Sequence, residues 1–340
     1  MQNVGTPRFY INDFLYSHSL GITELDALID GNPSNPYIVS SIADGATNNN
    51  YYFPIDYDRP NYCALLGHNL ASKNIGFRRY NRLEPPYTGG AWNGGHSQSP
   101  IVNSVNGTYY EADGQGHNTF AYPEYDGFTI FEITNASDDD YYGHVSLQFG
   151  NSFGNGSQTD IKMGTIMMGK YYDMPHSPDL NLKLSYEYEG VKTIQAKNGA
   201  TLSNAMYTKP ADWGDSGAWQ LGGEPNYRTG RRTWDLSFSY LSDESTMPYL
   251  GIQNYEDDGT GTGTIVTTED ILTGSDFMSV VWNKTLGNAL PFIFNPNGGG
   301  ESPNNSPDQF AICKFVGDTL KYKQVAPNTY NIKLKIEEVW

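Results

Sequence analysis

The segment Gly214-Asp215-Ser216-Gly217 places a serine between small residues, a setting that acyl-transfer chemistry uses. A nucleophilic serine needs a histidine base oriented by a carboxylate. The six histidines, His18, His68, His96, His117, His144 and His176, stand singly, and none has the sequence context of such a base. The flanks Ala211-Asp212-Trp213 and Ala218-Trp219-Gln220 do not fit either, so the segment reads as a turn. Metal chemistry lacks its spacing too. There is no HExxH, no CxxC and no Cys/His cluster. Asp138-Asp139-Asp140 and Glu256-Asp257-Asp258-Gly259 lack the spaced oxygens and distal glutamate of a calcium loop and read as solvated turns. Among 38 acidic residues nothing singles out a pair for glycoside hydrolysis, and no glycine-rich phosphate loop leads into a helix. The chain is therefore expected to be a structural or binding protein rather than an enzyme, with neither cofactor nor metal.

Charge narrows the partners. The 340 residues carry a net charge of -17, which repels nucleic-acid phosphate. Arg78-Arg79 and Arg231-Arg232 are too small to form a binding stripe, so no specific nucleic-acid binding is expected. No apolar run approaches the roughly 18 residues that span a bilayer, and no membrane insertion is expected. The first residues lack a basic stretch followed by an apolar one, so synthesis in the cytoplasm without export is expected. Cys63 and Cys313 each lie in an apolar run, which predicts buried free thiols.

The elements that must carry any site are strands. Tyr 26, Phe 15 and Trp 6 supply much of the apolar content, and Gly, Asn and Pro punctuate it. From Tyr330 to Ile336, apolar Tyr330, Ile332, Leu334 and Ile336 alternate with Asn331, Lys333, Lys335 and Glu337, the pattern of a half-buried strand. Trp234, Leu236, Phe238 and Tyr240 alternate in the same way, as do Leu182, Leu184, Tyr186 and Tyr188. Tyr62 to Leu66 is a continuous apolar run, as in a strand covered on both faces. Further strands are predicted near Thr6 to Ile11, Phe128 to Ile133, Val145 to Phe149, Ile161 to Met168, Leu290 to Phe294 and Phe310 to Phe315. Glu84 to Gln115 reads as one long loop. One helix is predicted from Phe277 to Leu286, capped by Asp276 and closed by Gly287. Met174-Pro175-His176-Ser177-Pro178 marks the predicted boundary between domains 1–174 and 175–340. The fold class is all-β, as two β-sandwich domains, the second with one flanking helix. Leu65, Leu66, Phe149, Trp234, Leu236, Phe238, Phe292, Phe294, Phe315, Ile332 and Leu334 are the predicted core.

Two passages resemble proteins of tailed-bacteriophage virions. Tyr62-Cys63-Ala64-Leu65-Leu66-Gly67-His68-Asn69-Leu70, with Met163-Gly164-Thr165-Ile166-Met167-Met168-Gly169, is similar to the discoidin-like, galactose-binding-like jelly rolls of tail-associated proteins. The order of Arg231-Arg232-Thr233-Trp234-Asp235-Leu236, the helix after Asp276, Leu290-Pro291-Phe292-Ile293-Phe294 and the ending Ile336-Glu337-Glu338-Val339-Trp340 resembles tail-tube and distal-tail domains. The resemblance implies a virion component of the distal tail, baseplate or tail tip. It would be a symmetric homo-oligomer that contacts other tail proteins and docks fibres or touches host-surface glycans. Phe277, Val281, Leu334, Ile336 and Trp340 are the expected assembly contacts. The alternative is a carbohydrate-binding adhesion protein, with Trp92, Tyr109 and Tyr110 as the aromatics that would stack on sugar.

Overall fold

The computed structural model describes residues 4–13, 15–16, 37–42, 49–54, 61–71, 75–80, 96–97, 101–105, 108–111, 119–123, 126–133, 144–149, 158–187, 192–204, 231–247, 254–256, 264–266, 274–300, 303–306 and 309–339. The fold is all-β with antiparallel pairing. Its largest sheet has eight strands. Seven run in the order Tyr171–Asp173, Arg8–Tyr10, Phe292–Asn295, Ala311–Phe315, Thr329–Glu338, Arg231–Ser242 and Lys183–Glu187, and Tyr322–Ala326 joins the terminal strand. The terminal strand thus pairs with three others. Strand pairing does not break at Met174, because Arg8–Tyr10, paired on one side with Tyr171–Asp173, pairs on the other with Phe292–Asn295.

Period-two alternation sends the side chains of this sheet to two different cores. Phe9, Phe292, Phe294, Cys313, Phe315, Trp234 and Ile336 face one way. The helix following Asp276 covers that side, where Phe277, Val280 and Val281 join the same core and the Phe277 ring meets Phe9 edge-on at 5.7 Å. Tyr10, Ile293 and Ile312 face the other way. They pack on a four-stranded sheet ordered Thr165–Gly169, Tyr62–His68, Gly127–Ile133 and Ile101–Val105. Tyr62, Ala64, Leu66, Phe128 and Ile130 supply that sheet's side of the shared core. Strands buried on both faces explain the unbroken apolar runs of Tyr62–Leu66 and Phe292–Phe294.

The helix begins as its sequence indicates. Asp276 Oδ1 accepts a hydrogen bond from the Ser279 N–H at 3.0 Å, and Oδ2 accepts from Ser279 Oγ at 2.6 Å. Its body is a wide, π-type turn over Met278–Trp282. The helix ends at Trp282, short of the predicted Leu286. Gly287 lies in the turns that follow, at φ +67°, a left-handed conformation that costs glycine little, and donates its N–H to the Trp282 carbonyl.

Three sequence expectations change. The stretch from Ile161 to Met168 is two strands. Gly164 breaks it by donating to the Leu66 carbonyl, so Gln158–Met163 pairs with Tyr37–Ile42 and Thr165–Gly169 with Tyr62–His68. Glu84 to Gln115 is no single loop. It holds the strands His96–Ser97, Ile101–Val105 and Thr108–Glu111, where β-branched and aromatic residues outweigh their glycine- and asparagine-rich flanks. Glu256, read as the start of a solvated turn, lies in the strand Asn254–Glu256, paired with Thr264–Val266.

Of the predicted core, every side chain that the structure describes is buried. The Phe149 side chain and the segment Gly214 to Gly217 lie outside the described residues. Cys63 and Cys313 are buried free thiols.

Candidate functional site

Arg8 sits on the strand next to the edge of the large sheet, directly across from Asp173 of the edge strand in register. Alternation puts its side chain on the same face as Tyr10, toward the facing sheet. There its guanidinium forks onto Asp173, with Nε to Oδ1 at 2.6 Å and Nη2 to Oδ2 at 2.8 Å. Nη1 reaches Glu132 Oε1 of the four-stranded sheet at 2.5 Å. Tyr10 Oη donates to the same Glu132 oxygen at 2.6 Å, and the Tyr171 ring lies 4.0 Å from the guanidinium. Burial opposes the charge on Arg8, but the bond to Asp173 and the surrounding negative field outweigh it and hold its pKa above the ordinary value. One side chain thus ties residues 124 and 165 positions away into a single junction.

A second junction secures the chain's last strand. Arg232 donates from Nε to Glu338 Oε2 at 3.1 Å and from Nη2 to Oε1 at 2.9 Å. Its backbone N–H also donates to Glu338 Oε2, and Nη2 reaches the Phe310 carbonyl at 2.8 Å. Glu338 is only 2% exposed, and the Arg232 guanidinium stands 5.3 Å from the Trp234 ring. Burial lowers the Arg232 pKa, yet the Glu338 carboxylate more than offsets it.

A third tie joins the helix to the N-terminal segment, where Lys284 Nζ meets Asp13 Oδ1 at 3.0 Å. Gly169 lies against this tie. A Cβ there would collide with the Ile11 carbonyl oxygen, so the close approach requires glycine.

The Gly67-His68-Asn69-Leu70 turn is a fourth fixed point. His68 Nδ1 accepts from the Leu70 N–H at 3.2 Å, which leaves Nε2 as the donor to Thr129 Oγ1 at 2.8 Å. Asn69 Oδ1 accepts from the Lys162 N–H at 2.7 Å. The residues that give this passage its resemblance to a jelly roll hold its strands in place.

These arrangements bind segments of one chain to one another. Among the described residues, no group of three His, Cys, Asp or Glu side chains stands where it could hold a metal ion. No helix there is long and apolar enough to cross a membrane.

The expected assembly contacts need correction. Phe277, Val281 and Ile336 are fully buried and Leu334 is 3% exposed, all in the chain's own core. An amphipathic pattern shows that a face is buried but not what covers it, and here the chain covers it itself. Trp340 and Trp92 lie outside the described residues. Tyr109 and Tyr110 fall in the Thr108–Glu111 strand, opposite Ala121 and Phe120, and their side chains also lie outside the described residues. Sequence reasoning missed Arg8, Glu132 and Asp173, whose wide spacing leaves no local motif.

Neither a protein-family model nor a curated protein nor a solved structure matches the chain.

The buried hydroxyls give the fold a defined alkaline limit. Burial pushes the Tyr10, Tyr62 and Tyr172 hydroxyls above their ordinary value, and does the same to the Cys63 and Cys313 thiols. In each case the folded chain keeps a proton that the unfolded chain releases. Stability is therefore complete below the unfolded values, about 8.5 for Cys and 10 for Tyr, and is lost as pH rises toward the folded ones. Each group steepens the loss by about 1.4 kcal/mol per pH unit. Urea midpoints measured from pH 7 to pH 11 should fall above roughly pH 9, and Tyr172→Phe should flatten the slope. A level profile to pH 11 would refute this.

Proposed function

We propose that this chain is a structural protein of a tailed-phage virion, placed in the distal tail, baseplate or tail-tip region. It is made in the host cytoplasm and assembles with copies of itself and with other tail proteins. Docking of fibres or contact with host-surface glycans belongs to the same reading. The jelly-roll-like passage around Tyr62 to Leu70 and the tail-domain-like order from Arg231 to the C-terminus support it.

The observation that carries the reading is how the described ionic groups are used. Arg8, Arg232 and Lys284 spend their charges on Asp173, Glu132, Glu338 and Asp13, holding distant strands in fixed relation. Side chains committed in this way make a rigid building block, and the surface is left for contacts with partners. Light scattering of the purified chain tests the assembly. The expected mass is one defined multiple of 37.8 kDa. A broad, concentration-driven distribution of aggregates counts against a built oligomer.

A further inference from the structure

One half of a face of the large sheet is covered and the other half is open. Tyr10, Ile293 and Ile312 lie under the four-stranded sheet. On the same face, alternation continues outward through Lys314 to Glu337, Lys335 and Lys333 of the terminal strand, then to Asp235, Ser237 and Lys183. Lys323 joins them opposite Asn331. Lys183, Lys323, Lys333, Lys335 and Asp235 are exposed, and Lys314 is half-buried. Five lysines and Arg231 thus share this open half with the carboxylates Asp235, Glu337 and Glu187, and Asp179 is bonded to Ser239 at its margin, so cations still outnumber carboxylates.

That balance is the reverse of the whole chain's, where 38 acidic residues outnumber 21 basic ones. Among the described residues none of the five lysines closes an ion pair. Lysines often guard exposed sheet edges against pairing. Lys333 and Lys335 lie opposite Ser237 and Asp235 on one side and, on the other, in the short gap between the partners Tyr322–Ala326 and Ala311–Phe315. There the Lys335 carbonyl accepts from the Val316 N–H, so the open edge is only a few residues long.

We infer that this open lysine face receives an acidic surface of a second copy of the chain. The inference rests on the self-assembly proposed above and names the surface that drives it. Charge complementarity identifies the partner, because the chain outside this face is more acidic still than the whole. Two different surfaces then meet head to tail, a contact that closes into rings when the rotation allows. Repulsion between the net charges of two copies is screened beyond roughly 10 Å at 0.1 M salt, whereas contacting charges are not.

Sedimentation velocity on the full chain tests this, comparing wild type with Lys333→Glu/Lys335→Glu and with Lys333→Arg/Lys335→Arg. Wild type should associate at about 0.1 M salt and weaken about tenfold or more near 1 M, where the screening length is roughly 3 Å. The glutamate variant should show the same weakening at 0.1 M, and the arginine variant should assemble normally. Melting curves confirm that these exposed substitutions leave the fold intact. Equal association of the glutamate variant would remove the lysine face and leave self-assembly standing. A wild type that stays monomeric would remove both. A monomer that binds heparin or duplex DNA, and loses that binding in the glutamate variant, would overturn the second copy as occupant.

Discussion

Arg8→Ala is expected to lower folding stability by about 3–5 kcal/mol, the usual loss when one partner of a buried ion pair is removed. The variant takes the guanidinium away from both oxygens of Asp173 and from Glu132 Oε1, which keeps its bond from the Tyr10 hydroxyl. It also removes the cation from the face of Tyr171. Phe9→Ala should cost a similar amount, about 3–5 kcal/mol, because the ring is fully buried against Phe277, Phe292, Phe294 and Phe315. Domains are stable by only about 5–15 kcal/mol in all. The double variant should therefore fail to fold, although it alters only a three-residue strand. Urea unfolding followed by tryptophan fluorescence measures both single variants. A loss below about 1 kcal/mol for Arg8→Ala would put it in the range of surface ion pairs and deny Arg8 its place as the hub of the two sheets.

Glu338→Ala should be comparably damaging. Arg232 would keep the Phe310 carbonyl but lose three hydrogen bonds, two from its side chain and one from its backbone, and its charge would be left buried. The expected cost is again about 3–5 kcal/mol. Replacing the pair together, as Arg232→Met/Glu338→Leu, should cost far less, since well-packed apolar side chains often stand in for a buried ion pair without loss. The pair of measurements separates an ionic role from a packing one. Equal losses in the single and double variants would mean that shape, not charge, matters at this position. Deleting Glu337 to Trp340 removes the same carboxylate, together with the Val339 N–H that donates to the Ile312 carbonyl. That truncation should impair folding, and one that melts like wild type would contradict the role assigned to the terminal strand.

Much of the fold was legible where one face of a strand meets water. The alternation of Tyr330 to Glu337 and of Trp234 to Phe238 marks strands that the structure pairs with each other, Ile336 against Trp234 and Leu334 against Leu236. Tyr240, expected on the buried side, is exposed where the register shifts after Phe238. Asp276 marks the start of the helix through its capping carboxylate, whereas the helix ends at Trp282, before the expected stop at Gly287. Strands buried on both faces were legible only as strands. Phe292 to Phe294 and Tyr62 to Leu66 have no polar side to set their orientation, so their partners could not be read. The insertion of Arg8–Tyr10 between Tyr171–Asp173 and Phe292–Asn295 depends on contacts across more than 160 residues, for which no spacing rule exists. The same limit misdirected the assembly contacts, because Phe277 and Leu334 are apolar at the right period for either a core or an interface. The lysine face was half legible. Lys333 and Lys335 alternate visibly, but Lys183, Lys314 and Lys323 join them only through strand pairing.

Class averages of the purified full-length chain in negative stain test the proposed assembly most directly. The account predicts a closed particle of fixed rotational symmetry, seen end-on as a ring and lost on charge reversal at Lys333 and Lys335. Single, unassociated copies at the highest attainable concentration and about 0.1 M salt, where close charge pairs still attract, would contradict it.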